Sequence, residues 1–320
     1  MSEEEPVDRR GLFRDLFRQA GEAIAPALGA RLEPLLGAGP AETRTAHPAA
    51  SVEQLLGAAA DLGLGARAES IEQLARRSLR LVPAAHAREA AVGFGGPALM
   101  NEGQEWPSWR GRPLTLLAQV EAGGELGRLL FFYDVLGRPS GCLAAHRGSA
   151  QVLRAADGRL LPVDGPALPA AQVPGQIDAE LVIPPAGSVA ERLGLSRGER
   201  EAWEALREEL AGLQGTAPAH VAGEVFRVVH RVLGYADSAS DELGLACELA
   251  SAGEDVIEGR AHLHPGAAAA GEPAGRWELL AQFSGDGKLG WPWVAQRVYF
   301  MIDRDALAAG ELEPVWAIAR

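Results

Sequence analysis

The chain of 320 residues contains two cysteines, Cys142 and Cys247, and a single lysine, Lys288. Two cysteines far apart in sequence supply neither a disulfide framework nor a cysteine-based zinc site. With one lysine, a phosphate-cradling G-x-x-x-x-G-K-[ST] loop has one place to sit, and Gln282 occupies its first glycine position. Schiff-base chemistry would also depend on Lys288, in a turn-like stretch. There is no H-E-x-x-H helix and no dinucleotide fingerprint. His262-x-His264 precedes Pro265 in a loop-like stretch without an evident third ligand, so no metal and no cofactor are expected. No apolar run approaches the roughly 18 residues of a membrane span. After Arg9-Arg10, the stretch 12–30 is interrupted by Arg14, Asp15, Arg18, Glu22 and Pro26, which leaves no secretory h-region. A cytoplasmic location is expected. The net charge of −13 repels a phosphate backbone, and no basic patch with interleaved aromatics offsets it, so a nucleic-acid partner is not expected.

What the chain does contain, it contains twice. Leu116-Leu117-Ala118-Gln119-Val120 returns as Leu279-Leu280-Ala281-Gln282-Phe283. Arg128-Leu129-Leu130-Phe131-Phe132-Tyr133-Asp134 returns as Arg297-Val298-Tyr299-Phe300-Met301-Ile302-Asp303, after a connection six residues longer. Strict alternation puts Leu114, Leu116, Ala118 and Val120 on one face of a strand, and Trp277, Leu279, Ala281 and Phe283 on its counterpart. The second strand of each copy is apolar on both faces, which predicts a position inside a sheet covered on both sides.

The repeated strands and the helical spacings around them lead to an α+β expectation: an internal duplication of largely antiparallel, β-rich halves, with peripheral helices and an N-terminal helical extension. Residues 1–45 form a flexible or amphipathic segment in which Leu12, Phe13, Leu16, Phe17, Ala20 and Ile24 recur at helical spacing. Residues 46–84 are expected to form a helical cap. Ser51 caps its first helix, and a second helix is expected over 70–81, ended by Pro83. The main domain, 85–320, divides into halves at about 85–185 and 220–320, joined by a helix near 196–213. Ser196 and Glu199 stand in capping-box positions there, with Trp203, Leu206 and Leu210 as the buried stripe. Residues 180–185 read as an edge strand because of Pro184 and Pro185, residues 220–233 as a strand, and residues 253–275 as loop.

An ordered set of short motifs runs through this main domain. It comprises Phe94-Gly95-Gly96-Pro97, Gly103-x-Glu105-Trp106-Pro107, Leu117-Ala118-Gln119, Leu129-Leu130-Phe131-Phe132-Tyr133-Asp134 and His230-Arg231-x-Leu233-Gly234-Tyr235-x-Asp237. Cys247-Glu248-Leu249, Trp277-x-Leu279-Leu280-x-Gln282, Tyr299-Phe300-x-Ile302 and Val315-Trp316 complete it. In this set the chain resembles the YwqG-like family of bacterial proteins, a family of unknown function. The resemblance implies a mixed α+β fold of two related halves and no established activity.

Five side chains stand out as candidate ligand-binding residues: Gln119, Gln282, Trp106, Asp134 and His230. The two glutamines occupy equivalent positions. Either each ties its strand to neighbouring backbone, or the two face one another across a cleft. Asp134 has its counterpart in Asp303, as strand-end caps or as paired carboxylates. His230 alternates with apolar neighbours, as a core histidine or a ligand-binding one. Trp106, Trp109, Trp291 and Trp293 flank the repeats, as core packing or as an exposed aromatic platform. No catalytic constellation emerges. The expected function is a cytosolic binding protein, sequestering a protein partner as a toxin-neutralising factor would. The alternative is an enzyme or small-molecule binder with its site between the halves.

Overall fold

The computed structural model describes residues 49–84, 90–123, 126–155, 158–215, 219–221, 224–226, 228–238, 242–291 and 296–320. The amphipathic pattern of residues 12–24 and Trp293 lie outside the described residues. Among the described residues the sixteen strands are β1 (Arg76–Pro83), β2 (Val92–Phe94), β3 (Ala98–Asn101), β4 (Ser108–Trp109), β5 (Arg112–Pro113), β6 (Thr115–Gly123), β7 (Gly127–Tyr133) and β8 (Ala150–Ala155), then β9 (Leu160–Val163), β10 (Val173–Val182), β11 (Ala219–Val221), β12 (Glu224–Phe226), β13 (His230–Val232), β14 (Trp277–Ser284), β15 (Arg297–Asp303) and β16 (Trp316–Ala319). The seven α-helices among the described residues are α1 (Val52–Asp61), α2 (Ala68–Leu74), α3 (Ala186–Leu193), α4 (Arg197–Leu213), α5 (Glu242–Ser251), α6 (Ala267–Ala274) and α7 (Arg304–Ala309).

Ten strands form one antiparallel sheet in the order β16-β15-β14-β13-β1-β10-β2-β6-β7-β8. On each side of the central β1–β10 pair comes one short strand and then a three-strand meander. The sheet curls into a near-barrel. The Phe131 ring on β7 meets Phe283 on β14 at 5.2 Å and Phe300 on β15 at 5.4 Å, so rings from opposite wings touch. β7 is apolar on both faces because it has core on both: Leu129, Phe131 and Tyr133 face the interior, while Leu130 and Phe132 pack outside against Ala98 and Met100 of β3. Helices α1 to α4 bury Leu55, Ile71 and Trp203 in a second outer core, and α5 covers β14 to β16 in a third. The mixed α+β expectation holds at this level.

Strict alternation along β6 and β14 does not hold. The β6–β7 register shifts between Leu116 and Ala118, and the β14–β15 register between Leu279 and Ala281. Each bulge puts two consecutive residues on the same side. Leu117 and Ala118 both face the interior while Leu116 faces out, and Leu280 and Ala281 face the interior while Leu279 faces out.

The helix expected over 70–81 ends at Leu74, and β1 follows after one residue. The arginines and Ser78 suggest a solvated helix face, but they sit on a strand, where Arg76 and Arg80 find carboxylates. Arg80 Nη2 lies 2.7 Å from Asp178 Oδ2 on β10, its paired residue, with both side chains buried. Beside it, Arg231 Nε on β13 lies 2.9 Å from Glu180 Oε1, off line for a hydrogen bond, so that contact is ionic. Residues 76–83 therefore belong to the sheet and not to a helical cap. Residues 180–182 are likewise no edge: they end β10 in mid-sheet, and Pro184 and Pro185 lie beyond the last pairing. Residues 220–233 break into short pieces of β11, β12 and β13, and residues 267–274 are helical rather than loop. Both expected caps form, Ser51 with Gln54 and Ser196 with Glu199.

Removing one partner of a buried ion pair leaves the other uncompensated, at about 3–5 kcal/mol, whereas replacing both with apolar side chains is often near neutral. Arg80→Met is expected to cost that much in guanidinium unfolding, and Arg80→Met/Asp178→Leu to regain most of it. A single variant within about 1 kcal/mol of wild type would show that the pair does not hold the central strands.

Candidate functional site

The two glutamines do equivalent work in equivalent places. Gln119 pairs across from Gly93 of β2, and Gln282 across from Arg231 of β13. Beyond each short strand the backbone passes through two left-handed residues, Gly95 and Gly96 (φ 60° and 69°) and Leu233 and Gly234 (φ 63° and 84°). That turn delivers a backbone amide to each glutamine. Leu99 N donates to Gln119 Oε1 at 3.0 Å, and Asp237 N donates to Gln282 Oε1 at 2.8 Å. Each side-chain amide donates in turn to a carbonyl, Gln119 to Pro97 O at 2.9 Å and Gln282 to Val229 O at 3.3 Å. Strands β6 and β14 have β2, β10, β1 and β13 between them in the sheet order, and each glutamine is occupied with backbone.

Asp134 accepts from Gly137 N at 3.1 Å and pairs with Arg112 at 2.9 Å. Asp303 caps α7 by accepting from Asp305 N and Ala306 N. Trp106 donates from Nε1 to Leu114 O at 2.8 Å, sets its ring on edge against Phe132, and leaves Gly165 no room for a side chain. Trp291 is 3 % exposed, donates to Leu168 O and packs among Phe94, Phe283 and His230, so it is core and not an exposed platform. The burial of both Cys142 and Cys247 pushes their thiols above the usual range. Among the described residues no group of three or more His, Cys, Asp or Glu is placed to hold a metal.

His230 is buried among Phe94, Phe283 and Trp291, with its Nε2 facing Asp286 Oδ2 at 3.3 Å. Its Nδ1 is buried without a partner. Burial pushes the Asp286 carboxyl up. The His230 hydrogen bond, the Lys288 amide at 2.8 Å and the nearby positive charges more than offset this, so the group sits below its ordinary value of 3.8. Gln282 meets the same corner through Val229, whose carbonyl also accepts from Ser284 Oγ. Of the five candidates, only Gln282 and His230 come together.

Asp237 received no role in the sequence reading, although it closes one of the motifs. It is a hub. Its carboxylate lies 3.4 Å from Arg207 of α4 and 3.2 Å from Arg297 of β15. Its carbonyl accepts from Arg297 Nη1 and Tyr299 Oη, and its amide is the one held by Gln282. A groove of about 770 Å³ runs over this hub, with Arg200, Glu204 and Arg297 among its walls. Behind Arg207 and Asp237 a chamber of about 50 Å³ is bounded by Glu180 and Arg231. That chamber has room for a few waters and no more.

The clearest surface feature is aliphatic. Leu136, Ile257, Leu263 and Leu143 are 83, 68, 64 and 38 % exposed. They stand on neighbouring turns. Val256 N donates to Cys142 O at 2.7 Å and Ala144 N to Asp255 Oδ1 at 3.0 Å, which joins the 142–144 and 255–257 segments. Two further turns, Arg260 N to Ile257 O and Leu263 N to Arg260 O, carry the chain to Leu263. Arg138 and Glu258 share the small cavity beside Tyr133, which brings the turn carrying Leu136 to the same region.

The model of a family described as Domain of unknown function (DUF1963) matches residues 93–319. The chain belongs to this family. The match spans both meanders and β2, β10 and β13, and it leaves α1, α2 and the central strand β1 outside. No curated protein matches the chain.

Each glutamine spares a half-buried amide the loss of its acceptor, an effect of about 1–3 kcal/mol. Gln282→Leu and Gln119→Leu are each expected to lower unfolding free energy by that amount; changes within about 0.3 kcal/mol would mean that water replaces the side chains. Asp286, with its folded pKa depressed, stabilises above the unfolded value of 3.8, and its contribution fades as pH falls through the lower folded value. Asp286→Asn should therefore cost stability near neutrality and show a shallower acid limb below about pH 4. A limb parallel to wild type in an acid titration of stability would refute this.

Proposed function

We propose that the chain is a protein-binding member of its family that sequesters a partner in the cytoplasm, as a toxin-neutralising factor would. The exposed aliphatic surface of Leu136, Leu143, Ile257 and Leu263 carries this reading. Four large apolar side chains gathered on adjacent turns, with charges at the rim, are a feature of interaction surfaces. The net charge of −13 favours a basic partner, through steering and exclusion of acidic competitors. The candidate polar side chains support the same reading, because most are engaged with backbone and are not gathered into one open pocket.

The finer family placement is YwqG-like, and the two wings descend from one duplicated unit. Matched bulges, matched glutamine hydrogen bonds, matched aspartate caps and the mirrored strand order support the duplication. A second reading, a small-molecule site, is favoured by one observation: Glu180 Oε1 is buried without a hydrogen bond beside the chamber behind Asp237. In that reading Gln282 positions Asp237 at the groove.

Native mass spectrometry of the tagged full chain purified from its own cells separates the two. A stoichiometric basic protein that is lost with Ile257→Ser/Leu263→Ser is the expected result. A partner retained by that variant, or a small-molecule adduct lost with Asp237→Ala in its place, would overturn the assignment.

A further inference from the structure

The interior face of β8 runs Ala150, Val152, Arg154. The first two belong to the apolar interior of the curled sheet, and a residue two further along a strand takes the same side. Arg154 therefore turns inward at the rim, where a guanidinium is out of place unless something answers it. Its Nη2 donates to Gly310 O at 3.0 Å, while its Nε is buried and finds no acceptor. It forms no ion pair with a carboxylate among the described residues. A Cβ on Gly310, at φ 72°, would sit 3.0 Å from Nη2, so the guanidinium would have to give by a few tenths of an ångström.

Around this guanidinium, Leu126 of the β6–β7 turn, Leu233 beyond β13 and Leu307 of α7 rest half-buried on the interior core. They enclose an opening of about 620 Å³, in which Arg154 is the one charged side chain among the described lining residues. Apolar walls with a single fixed cation, at the mouth of a barrel-like sheet and of this size, are the usual make-up of a small-ligand site. The geometry points to a binding site for an anionic amphiphile, an acyl carboxylate whose headgroup pairs with Arg154 and whose chain lies on Leu126, Leu233 and Leu307. Charge-assisted pairing with a carboxylate satisfies the guanidinium in a way that no neutral headgroup does. The aliphatic patch around Ile257 is a different surface, so this inference does not depend on the partner-binding reading.

Titration calorimetry of the full chain with dodecanoate, kept below its micelle concentration, tests it, with dodecyltrimethylammonium as the control of opposite charge. Saturable one-to-one binding of dodecanoate is expected, with none of the cation. Arg154→Gln should weaken dodecanoate by about tenfold or more. Ala308→Trp, at an exposed position on α7 that lines the opening, places a large side chain at its wall and should weaken binding by about tenfold or more. Absence of dodecanoate binding, equal binding of the two surfactants, or undiminished binding by Ala308→Trp would overturn the assignment. Should Arg154→Gln fail to fold, as read by near-ultraviolet circular dichroism, Ala308→Trp and the cationic control decide the matter.

Discussion

The pairing of β1 with β10 holds the molecule together. It runs the full length of β1, from Arg76 opposite Val182 to Pro83 opposite Gly175. One face of the pair contributes Leu81 to the interior core. The other carries Arg80, Asp178 and Glu180, buried and joined by Arg231 from the next strand. Ion pairs like these add little net stability over an apolar equivalent, but they punish every misregister, because a shift by one residue buries a charge without its partner. The centre of the sheet is thus set by charge, while its wings are set by aromatic packing.

This division explains which parts of the fold were legible in the sequence. The two meanders announced themselves through long apolar runs that only strands covered on both faces carry. The central strand did not. Leu79 and Leu81 alternate with Ser78 and Arg80 over four residues only, behind Arg76 and Arg77, and the carboxylates that make the arginines tolerable lie about a hundred residues away or more. The bulges escaped for a related reason: a pattern read at period two assumes that no residue is extra. One doubled position between Leu116 and Ala118, and again between Leu279 and Ala281, changes which leucine looks inward.

For the candidate site, equivalence was readable and consequence was not. Gln119 and Gln282 were recognisable as counterparts from their letters. The amides they accept from, Leu99 in one wing and Asp237 in the other, depend on a left-handed turn after β2 and β13. At the second turn, Leu233 stands where the first has Gly95, so the conformation carries no glycine signal at that position. Asp237 was overlooked because its importance lies in what converges on it, not in its neighbours along the chain. Several of the polar side chains chosen for chemistry keep backbone amides and carbonyls satisfied inside a sheet that twists, bulges and curls. In the two proposals made above, recognition falls to what the scaffold does not consume: an aliphatic surface on the turns and a cation at the rim.

The family pattern begins at residue 93, just after the strand on which everything pivots. During synthesis β1 emerges early, yet its neighbours β10 and β13 follow only after roughly one hundred and one hundred and fifty further residues. The segment between β6 and β7 closes locally, as does that between β14 and β15, and local closure is fast. The nascent chain therefore holds a basic strand with both edges open while a whole meander forms downstream. Three arginines in its first five residues keep those edges from recruiting another copy. The charges that later lock the sheet first serve as its guard against aggregation on the ribosome.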